Sequence, residues 1–295
     1  YLVYLRHPTT GGVMASWGSL GHITVAEPGA LLGFLGPRVY ESLYGEPFPE
    51  GVQTAENLQA RGLVDAVLPP EELAPTIHRA LSMLLPAPAD PLPEPASLNA
   101  SPAEVPAWES ITISRNPQRP GVRQLLHFAA ADVLPLNGTG QGEKDPGLLL
   151  ALARFGQTSC VVLGQDRQRG SRQPALGPAS LREARRGMRL AEELNLPLLT
   201  VIDTSGAALS KEAEEGGLAG EIARCLNDLV GLNCPTVSVL LGQGAGGGAL
   251  ALLPADRTLA AQHAWLSSLP PEGASAIVYR DTEHGAQMAQ EQGVT

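Results

Sequence analysis

Short apolar runs alternate with longer amphipathic segments in the part of the chain after about residue 108. Residues 160–163, 198–202 and 236–241 are mainly apolar, which is typical of strands that are buried on both faces. Residues 179–194 and 218–232 instead place their apolar side chains at helical spacing. Strands that alternate with helices of this length predict an α/β fold built from parallel βαβ units.

A proline-rich stretch precedes this pattern and divides the chain. Residues 86–107 contain seven prolines, and each proline removes an amide donor and fixes φ. Neither a helix nor a central strand fits such a stretch, so it predicts an extended linker. We therefore expect a first domain over residues 1–85, the linker, and a second domain over residues 108–295.

The two predicted domains share an ordered pattern that indicates an internal repeat. Each copy runs from an apolar strand to a Gly-Gly pair, small residues, an apolar segment and Leu-x-Pro. The shared positions are Thr24 with Thr258, Ala26 with Ala260, Ala30 with Ala264, Leu32 with Leu266, Leu35 with Leu269, and Pro37 with Pro271. The pair Gly11 and Gly12 matches the pair Gly247 and Gly248 after a gap of two residues. Chance similarity is the alternative, but the shared order favours duplication.

Both copies are expected to be incomplete. Only ten residues precede the Gly pair of the first copy, whereas a long strand–helix region precedes that of the second. The second copy ends soon after Pro271, and the chain begins with Tyr1 rather than Met. We therefore expect the back of one domain, a linker and the front of the next, and we expect this piece alone to be inactive.

Composition narrows the classes of function. The formal net charge is −10, whereas nucleic-acid binding relies on basic patches, so no nucleic-acid partner is expected. The three cysteines have neither CxxC spacing nor a His/Cys cluster, which predicts reduced core thiols in a cytoplasmic protein and no bound metal. No apolar run approaches the roughly 20 residues that span a bilayer, so no membrane partner is expected.

The Gly pairs are the features best suited to chemistry. A Gly pair between a buried strand and a helix exposes backbone N–H groups, and the helix dipole adds partial positive charge there. Two such donors suit a carbonyl oxygen that gains negative charge during a reaction. Phosphate binding uses the same geometry, but no Lys-Ser/Thr follows Gly248 as in a Walker A loop. Close helix–strand packing is the structural alternative, and two matched pairs favour function.

These segments resemble the biotin-dependent carboxyltransferase of acyl-CoA carboxylases. In the first part, HPTTGGVMAS at residues 7–16 and AEPGALLGFLGPRV at residues 26–39 are similar to DPTxGGVxAS and AEPxAxxGFAGPRV of the bacterial β subunit. The second part is similar to the α subunit: RNPQRP at 115–120 resembles RHPQRP, IDTSGA at 202–207 resembles IDTPGA, GQGAGGGALA at 242–251 resembles GEGGSGGALA, and PEGASAI at 271–277 resembles SPEGCASI. The motif order resembles a fused β–α chain.

The resemblance implies two crotonase-type (ClpP/crotonase-like) α/β domains built from ββα repeats. It also implies an enzyme that moves CO2 from carboxybiotin on a carrier protein to the α-carbon of acetyl-CoA or propionyl-CoA, for fatty-acid synthesis. The implied partners are the acyl-CoA, a biotin carboxyl carrier protein or domain, a biotin carboxylase subunit and further copies of this chain.

The resemblance also assigns site residues by position. The implied catalytic groups are Gly11, Gly12, Gly247, Gly248 and Ala249, and the implied cofactor-binding groups are Thr10, Arg38 and Gly206. The glycines of the first copy would stabilise the acyl-CoA enolate, and the backbone groups of the second copy would hold the biotin carbonyl. That assignment of copies to oxygens is an inference from crotonase geometry, and the implied mechanism needs no side-chain base.

Two residues depart from the family patterns, and for two others a structural role is favoured over a functional one. His7 stands where the β-subunit pattern has Asp, and Ser205 replaces the Pro of IDTPGA. Asp203 follows an apolar run beside a glycine turn, and a helix N-cap is favoured for it over a catalytic role. His263 is expected on a strand between alanine-rich neighbours.

Three functions remain in competition. An acyl-CoA carboxyltransferase component is favoured by the motif set. A decarboxylase subunit of the same superfamily would share the same pair of domains. A non-enzymatic paralogue that serves as an assembly partner is the third alternative.

Overall fold

The computed structural model describes residues 1–34, 37–85, 105–167 and 175–294. Most of the predicted linker lies outside these described residues, as do the side chains of Arg38 and Leu43. The predicted domain boundaries at residues 85 and 108 therefore stay a prediction.

The chain divides into two compact units that interleave along the sequence. The first consists of Tyr1–Met83 with Leu134–Lys144, and the second of Leu84–Val133 with Asp145–Thr295. Sequence reasoning places residues 134–144 with the second part, because no pattern marks them as belonging to the first.

The first unit is built around short parallel strands. In chain order its elements are β1 (Leu2–Leu5), β2 (Thr9–Thr10), β3 (Ile23–Ala26), β4 (Leu32–Gly33), α1 (Pro37–Tyr44), α2 (Ala55–Ala60), β5 (Ala66–Val67) and α3 (Pro70–Leu84). One parallel sheet has the order β1-β3-β5, and β2 pairs with β4 in parallel. Its core packs Val3 and Leu5 of β1 against Leu32 and Leu58, as expected from the alternation of buried and half-buried residues along β1.

Asp65 fixes residues 134–144 within the first unit. Its buried carboxylate accepts the backbone N–H of Thr24 at 2.9 Å and that of Asn137 at 3.0 Å. Gly62 has a left-handed φ of +69°, and a Cβ at this position would collide with the carbonyl oxygen of Glu143. Only glycine therefore allows the segment to approach so closely.

We predict that Asp65→Ala destabilises the full chain by about 2–4 kcal/mol, because two buried amides lose a charged acceptor. Urea unfolding measures the loss. The exposed Glu41 provides the matched control as Glu41→Ala, which should change stability by less than about 0.5 kcal/mol. Equal effects of the two variants would contradict the role given to Asp65.

The second unit has a larger sheet with helices packed against it. In chain order its elements are α4 (Ala107–Ser114), α5 (Val122–Ala129), β6 (Asp132–Leu136), β7 (Leu148–Phe155), β8 (Thr158–Gln165), α6 (Pro178–Leu194), β9 (Leu198–Thr204), α7 (Lys211–Glu215), α8 (Leu218–Val230), β10 (Thr236–Ala245), α9 (Gly246–Leu250), β11 (Arg257–Ala260), β12 (Trp265–Ser267), α10 (Pro271–Val278) and α11 (Gly285–Gln292). The strand order is β11-β10-β9-β8-β7-β6, with β12 beside β10. β8 to β11 run parallel, and β7 is antiparallel to β8.

Alternate side chains of β8 explain why helices cover both faces of this sheet. Val162 belongs to the same buried cluster as Val122 of α5. On the other face, a Cβ at Gly187 of α6 would lie 2.6 Å from Leu163, so helix and strand approach closely there. The predicted parallel βαβ units are confirmed for β8, β9 and β10 with α6 and α8.

Two smaller expectations have opposite outcomes. The three cysteines are buried free thiols, as predicted, and burial raises the pKa of Cys160 and Cys225 to about 12. The expectation for His263 is wrong, since this residue lies in a turn between β11 and β12. β11 ends at Ala260, and the chain turns at residues 262–263 before β12 pairs with β10.

Within the described residues, no helix combines the length and apolar character needed to cross a membrane. The same residues contain no group of three or more His, Cys, Asp or Glu placed to hold a metal ion.

Candidate functional site

The glycine turn of the first unit follows β2 directly. Thr10 ends β2 opposite Gly33, and Gly11 then adopts a left-handed φ of +64°, which favours glycine. The N–H of Gly11 donates to the carbonyl oxygens of Gly33 at 3.1 Å and Phe34 at 3.0 Å. The prediction that Gly11 supplies a free donor is therefore corrected: its amide is already used, and the residue provides the bend.

The next two amides of this turn have no acceptor among the residues that the structure describes. Gly12 and Val13 are exposed, and no hydrogen bond found in the described parts of the chain has either N–H as its donor. A Cβ at Gly12 would meet no atom within 4 Å, so the space in front of this amide is open. The side chain of Arg38, a predicted cofactor contact, lies outside the described residues.

The glycine turn of the second unit follows β10 in the same way. Gly246 has a φ of +62° and begins α9, where the first amides of a helix lack an intrahelical acceptor. No donated hydrogen bond is found for the N–H groups of Gly247 and Gly248 in the described chain. The predicted role of Ala249 as a further donor stays a prediction.

The strand registers show which residues of the two turns are equivalent. In each unit the strand before the turn pairs with a following strand at the shared threonine, and the segment at the turn pairs at the shared leucine. The resulting pairs are Leu5 with Leu240, Thr9 with Gly244, Gly11 with Gly246, and Gly12 with Gly247. The predicted match of Gly12 with Gly248 is wrong by one residue, because the loop after the second turn is shorter by one residue and not two.

Gly206 and Gly248 lie together in the second unit. A Cβ at Gly248 would lie 3.1 Å from the nitrogen of Ala207 and 3.2 Å from the carbonyl carbon of Gly206. Gly206 itself has a φ of +134°, and Thr204 Oγ1 accepts its N–H at 3.1 Å. The close-packing alternative therefore holds for Gly248, whose own N–H donates no hydrogen bond within the described ranges.

Gln165 connects this turn to the neighbouring strand. Its amide is 2% exposed at the end of β8. Nε2 donates to the carbonyl oxygen of Gly248 at 2.8 Å, and Oε1 accepts the N–H of Asp203 at 2.8 Å. A carbonyl needs a donor and an N–H needs an acceptor, so the partners fix the orientation of the side-chain amide.

Asp203 is part of a buried ion pair rather than a helix N-cap. It lies within β9, its side chain has no exposed area, and both carboxylate oxygens accept from Arg119 at 2.7 Å. Arg119 also donates to the carbonyl oxygen of Leu241 at 2.9 Å. The expected helix N-cap role of Asp203 is therefore wrong. It was inferred from neighbouring residues, whereas the partner Arg119 lies 84 residues earlier in the chain. A Cβ at Gly242 would collide with the guanidinium, so this glycine makes room for the pair.

A second arginine of the RNPQRP motif stabilises the far side of β10. Arg115 forms a two-pronged pair with Glu272 at the start of α10 and donates to Gln243 Oε1 at 3.2 Å. Its guanidinium lies 5.7 Å from the ring centroid of Trp108 and 6.0 Å from that of Trp265. Sequence reasoning used this motif only for the resemblance, although two arginines beside prolines, in a chain with a formal net charge of −10, were a usable signal.

We expect removal of either member of the Arg119–Asp203 pair to destabilise the chain by about 3–5 kcal/mol, because it breaks a buried charge pair. Arg167 Nε also lies 3.7 Å from the Asp203 carboxylate, so Arg119→Met should cost less than Asp203→Leu, which leaves both guanidinium groups without this carboxylate. Arg119→Met and Asp203→Leu are the test variants, and chemical denaturation is the measurement. Arg189→Met, at an exposed position of α6, is the control. Two small single effects would show that the pair does not organise this unit.

The Arg115–Glu272 pair should give a pH-dependent contribution to stability. The hydrogen bonds from Arg115 lower the pKa of Glu272 from its ordinary 4.5. A lowered folded-state pKa means that the stabilisation is present above pH 4.5 and is lost as the pH falls through the lower folded value. The difference in Tm between wild type and Glu272→Gln should therefore be constant from pH 5 to 7 and shrink in more acidic buffer. A difference that grows on acidification would be the opposite result.

Comparison with known proteins gives a consistent result. Residues 97–295 match the protein family described as acetyl co-enzyme A carboxylase carboxyltransferase-like. The probable biotin-dependent acyl-coenzyme A carboxylase beta3 subunit of Mycobacterium tuberculosis is 64% identical over 294 residues, which is 100% of this chain and 59% of that protein. The acetyl-coenzyme A carboxylase carboxyl transferase subunits beta/alpha of Parafrankia are 36% identical, over 97% of this chain and 52% of that protein. The chain thus spans little more than half the length of these relatives.

Solved structures share the fold at lower identity. Transcarboxylase 12S, determined with methylmalonyl-coenzyme A and methylmalonic acid bound, matches with a TM-score of 0.75 and 20% identity, over 98% of this chain and 58% of that chain. A single-chain, multi-domain long-chain acyl-CoA carboxylase matches with a TM-score of 0.76 and 17% identity, over 100% of this chain and 30% of that chain. These structures have the crotonase-like fold, so the predicted crotonase-type α/β fold is confirmed.

Proposed function

The chain belongs to the acetyl co-enzyme A carboxylase carboxyltransferase-like family, and on that premise we propose that it is part of the carboxyltransferase of a biotin-dependent acyl-CoA carboxylase. The proposed reaction transfers a carboxyl group to the α-carbon of an acyl-CoA. Acetyl-CoA or propionyl-CoA as acceptor, and a malonyl-CoA-type product for fatty-acid synthesis, are the finer parts of the proposal.

One observation carries this proposal: two register-matched glycine turns each present two consecutive amides that are unused in the described chain. The reaction has two carbonyl oxygens whose charge changes, one on the acyl thioester and one on the biotin ureido ring. Pre-oriented amides stabilise an oxygen that becomes negative in the transition state, and each donor contributes about 10²- to 10³-fold in rate. Two turns therefore match the two oxygens.

The amides of Gly12 and Val13 stabilise the enolate oxygen that forms when the acyl-CoA loses its α-proton. Gly11 shapes this turn, Thr10 leads into it, and Arg38 is a proposed contact of the CoA phosphates.

The turn of the second unit fits a biotin carbonyl. Gly247 and Gly248 offer two backbone donors without side chains of their own, which suits a ureido oxygen that gains negative charge when the carboxyl group leaves. Gly206 packs against Gly248 and keeps the turn in place. Carboxybiotin, when bound, supplies the carboxyl group that is transferred.

Partners and location follow from the same premise and are part of the proposal. A biotin carboxyl carrier protein or domain brings carboxybiotin, a biotin carboxylase subunit regenerates it, and copies of the chain form an oligomer in the cytoplasm. The hexamer assembly named for transcarboxylase 12S supports the oligomer.

An assay of the full-length protein with the biotin carrier tests this function. Wild-type protein should carboxylate acetyl-CoA or propionyl-CoA, and Gly12→Pro should lower kcat/KM by about 10²- to 10³-fold because one donor is lost. Gly12→Ala keeps the N–H in an open space and should lose far less. Incorporation of radiolabelled bicarbonate into the acyl-CoA is the measurement, with the biotin carboxylase subunit and ATP present to carboxylate the carrier.

Other outcomes identify the alternatives. Decarboxylation of a malonyl-CoA-type substrate without carboxylation would identify a decarboxylase subunit. A folded protein that does neither reaction, yet assembles with the other subunits, would identify a non-catalytic paralogue.

A further inference from the structure

The glycine turn of the second unit needs an external support. Gly246, Gly247 and Gly248 follow one another, and glycine loses more backbone entropy on ordering than any other residue. α9 has only five residues, which is far too short to be stable by itself. The direction of the free amides must therefore be set by contacts from other elements.

The carbonyl of Gly248 is the point at which such a contact is available. In a longer helix the N–H of Leu252 would donate to this carbonyl, but here it donates to Ala249 at 3.1 Å. The carbonyl of Gly248 instead receives the side-chain amide of Gln165. The carbonyl of Gly248 and the N–H of Ala249 lie in one rigid peptide plane, so this bond fixes the direction of the Ala249 amide and, through the helical turn that follows Ala245, restrains the amides of Gly247 and Gly248.

The other end of Gln165 is held as firmly. Its Oε1 accepts the N–H of Asp203, whose carboxylate is fixed by Arg119. Asp203 also accepts the N–H of Gln243 at 3.1 Å, three residues before the turn begins. One buried side chain thus connects the glycine turn to an ion pair that already orders β9 and β10.

We propose that Gln165 is a positioning residue for the second glycine turn, holding the amides of Gly247 and Gly248 in the direction needed by the biotin carbonyl. This inference rests on the proposed function for its kinetic consequence but not for its structural one. Gln165 does not contact the reacting atoms; it acts through the carbonyl of Gly248.

Two variants of the full-length enzyme separate its two bonds. Gln165→Met keeps the length of the side chain and removes both hydrogen bonds. Gln165→Glu keeps the acceptor for Asp203 and loses the donor to Gly248. The exposed Gln157 provides the matched control as Gln157→Met.

Kinetics give the first readout. Both Gln165 variants should lower kcat by about 10- to 100-fold, as expected for misplaced catalytic groups, and should raise the KM for the carboxylated carrier. The KM for acyl-CoA should stay within about twofold of wild type, whereas a general loss of structure would change both KM values. Gln157→Met should match wild type in all three constants.

Hydrogen exchange gives a second readout that does not depend on activity. Amides of residues 246–250 should exchange faster in both Gln165 variants, while those of α6 stay as in wild type. Normal kcat with unchanged exchange at the turn would overturn the proposal. If the wild-type protein has no carboxyltransferase activity but the Gln165 variants still exchange faster at the turn, the positioning role stands and the proposed function is refuted instead.

Discussion

A carboxylate with no exposed surface can remain charged in a protein only if it is paired and fully hydrogen-bonded. Asp203 meets this condition through Arg119, and the pair holds parts of the chain that are far apart in sequence. Arg119 also holds the backbone of β10 through Leu241, and Asp203 holds it through Gln243. The path of β10 into its glycine turn therefore depends on one buried charge pair.

The two glycine turns reach similar geometry with different supports. In the first unit, the amide of Gly11 donates to the carbonyls of Gly33 and Phe34, so the backbone alone fixes the bend. In the second unit, the side chain of Gln165 holds the carbonyl of Gly248. The first turn is held where it begins by the N–H of Gly11, which donates, and the second is held within α9 by the carbonyl of Gly248, which accepts. The two turns thus share free amides, although the contacts that hold them differ.

Sequence reasoning predicted the strands where apolar side chains are buried and stopped where buried residues become polar. The hydrophobic pattern predicts strands over 160–163 and 198–202, whereas β8 and β9 continue to Gln165 and Thr204. Periodicity detects the burial of apolar groups, but Gln165 is buried because distant polar groups satisfy it. Asp203 was beyond reach for the same reason, since its partner lies 84 residues away. The family resemblance rested on motifs of fixed order and did not need these contacts.

The return of residues 134–144 to the first unit has a consequence for how such a chain can be divided. By sequence alone, the proline-rich stretch is a natural point for exchanging modules between genes, because it separates two sequence patterns. Yet the carboxylate of Asp65 accepts a hydrogen bond from the backbone N–H of Asn137, which follows that stretch and belongs to the first unit. A break placed in the linker would remove residues 134–144 from the first unit, to which they belong, and leave them attached to the second. The shortest continuous segment that contains the whole first unit therefore extends through the linker to residue 144.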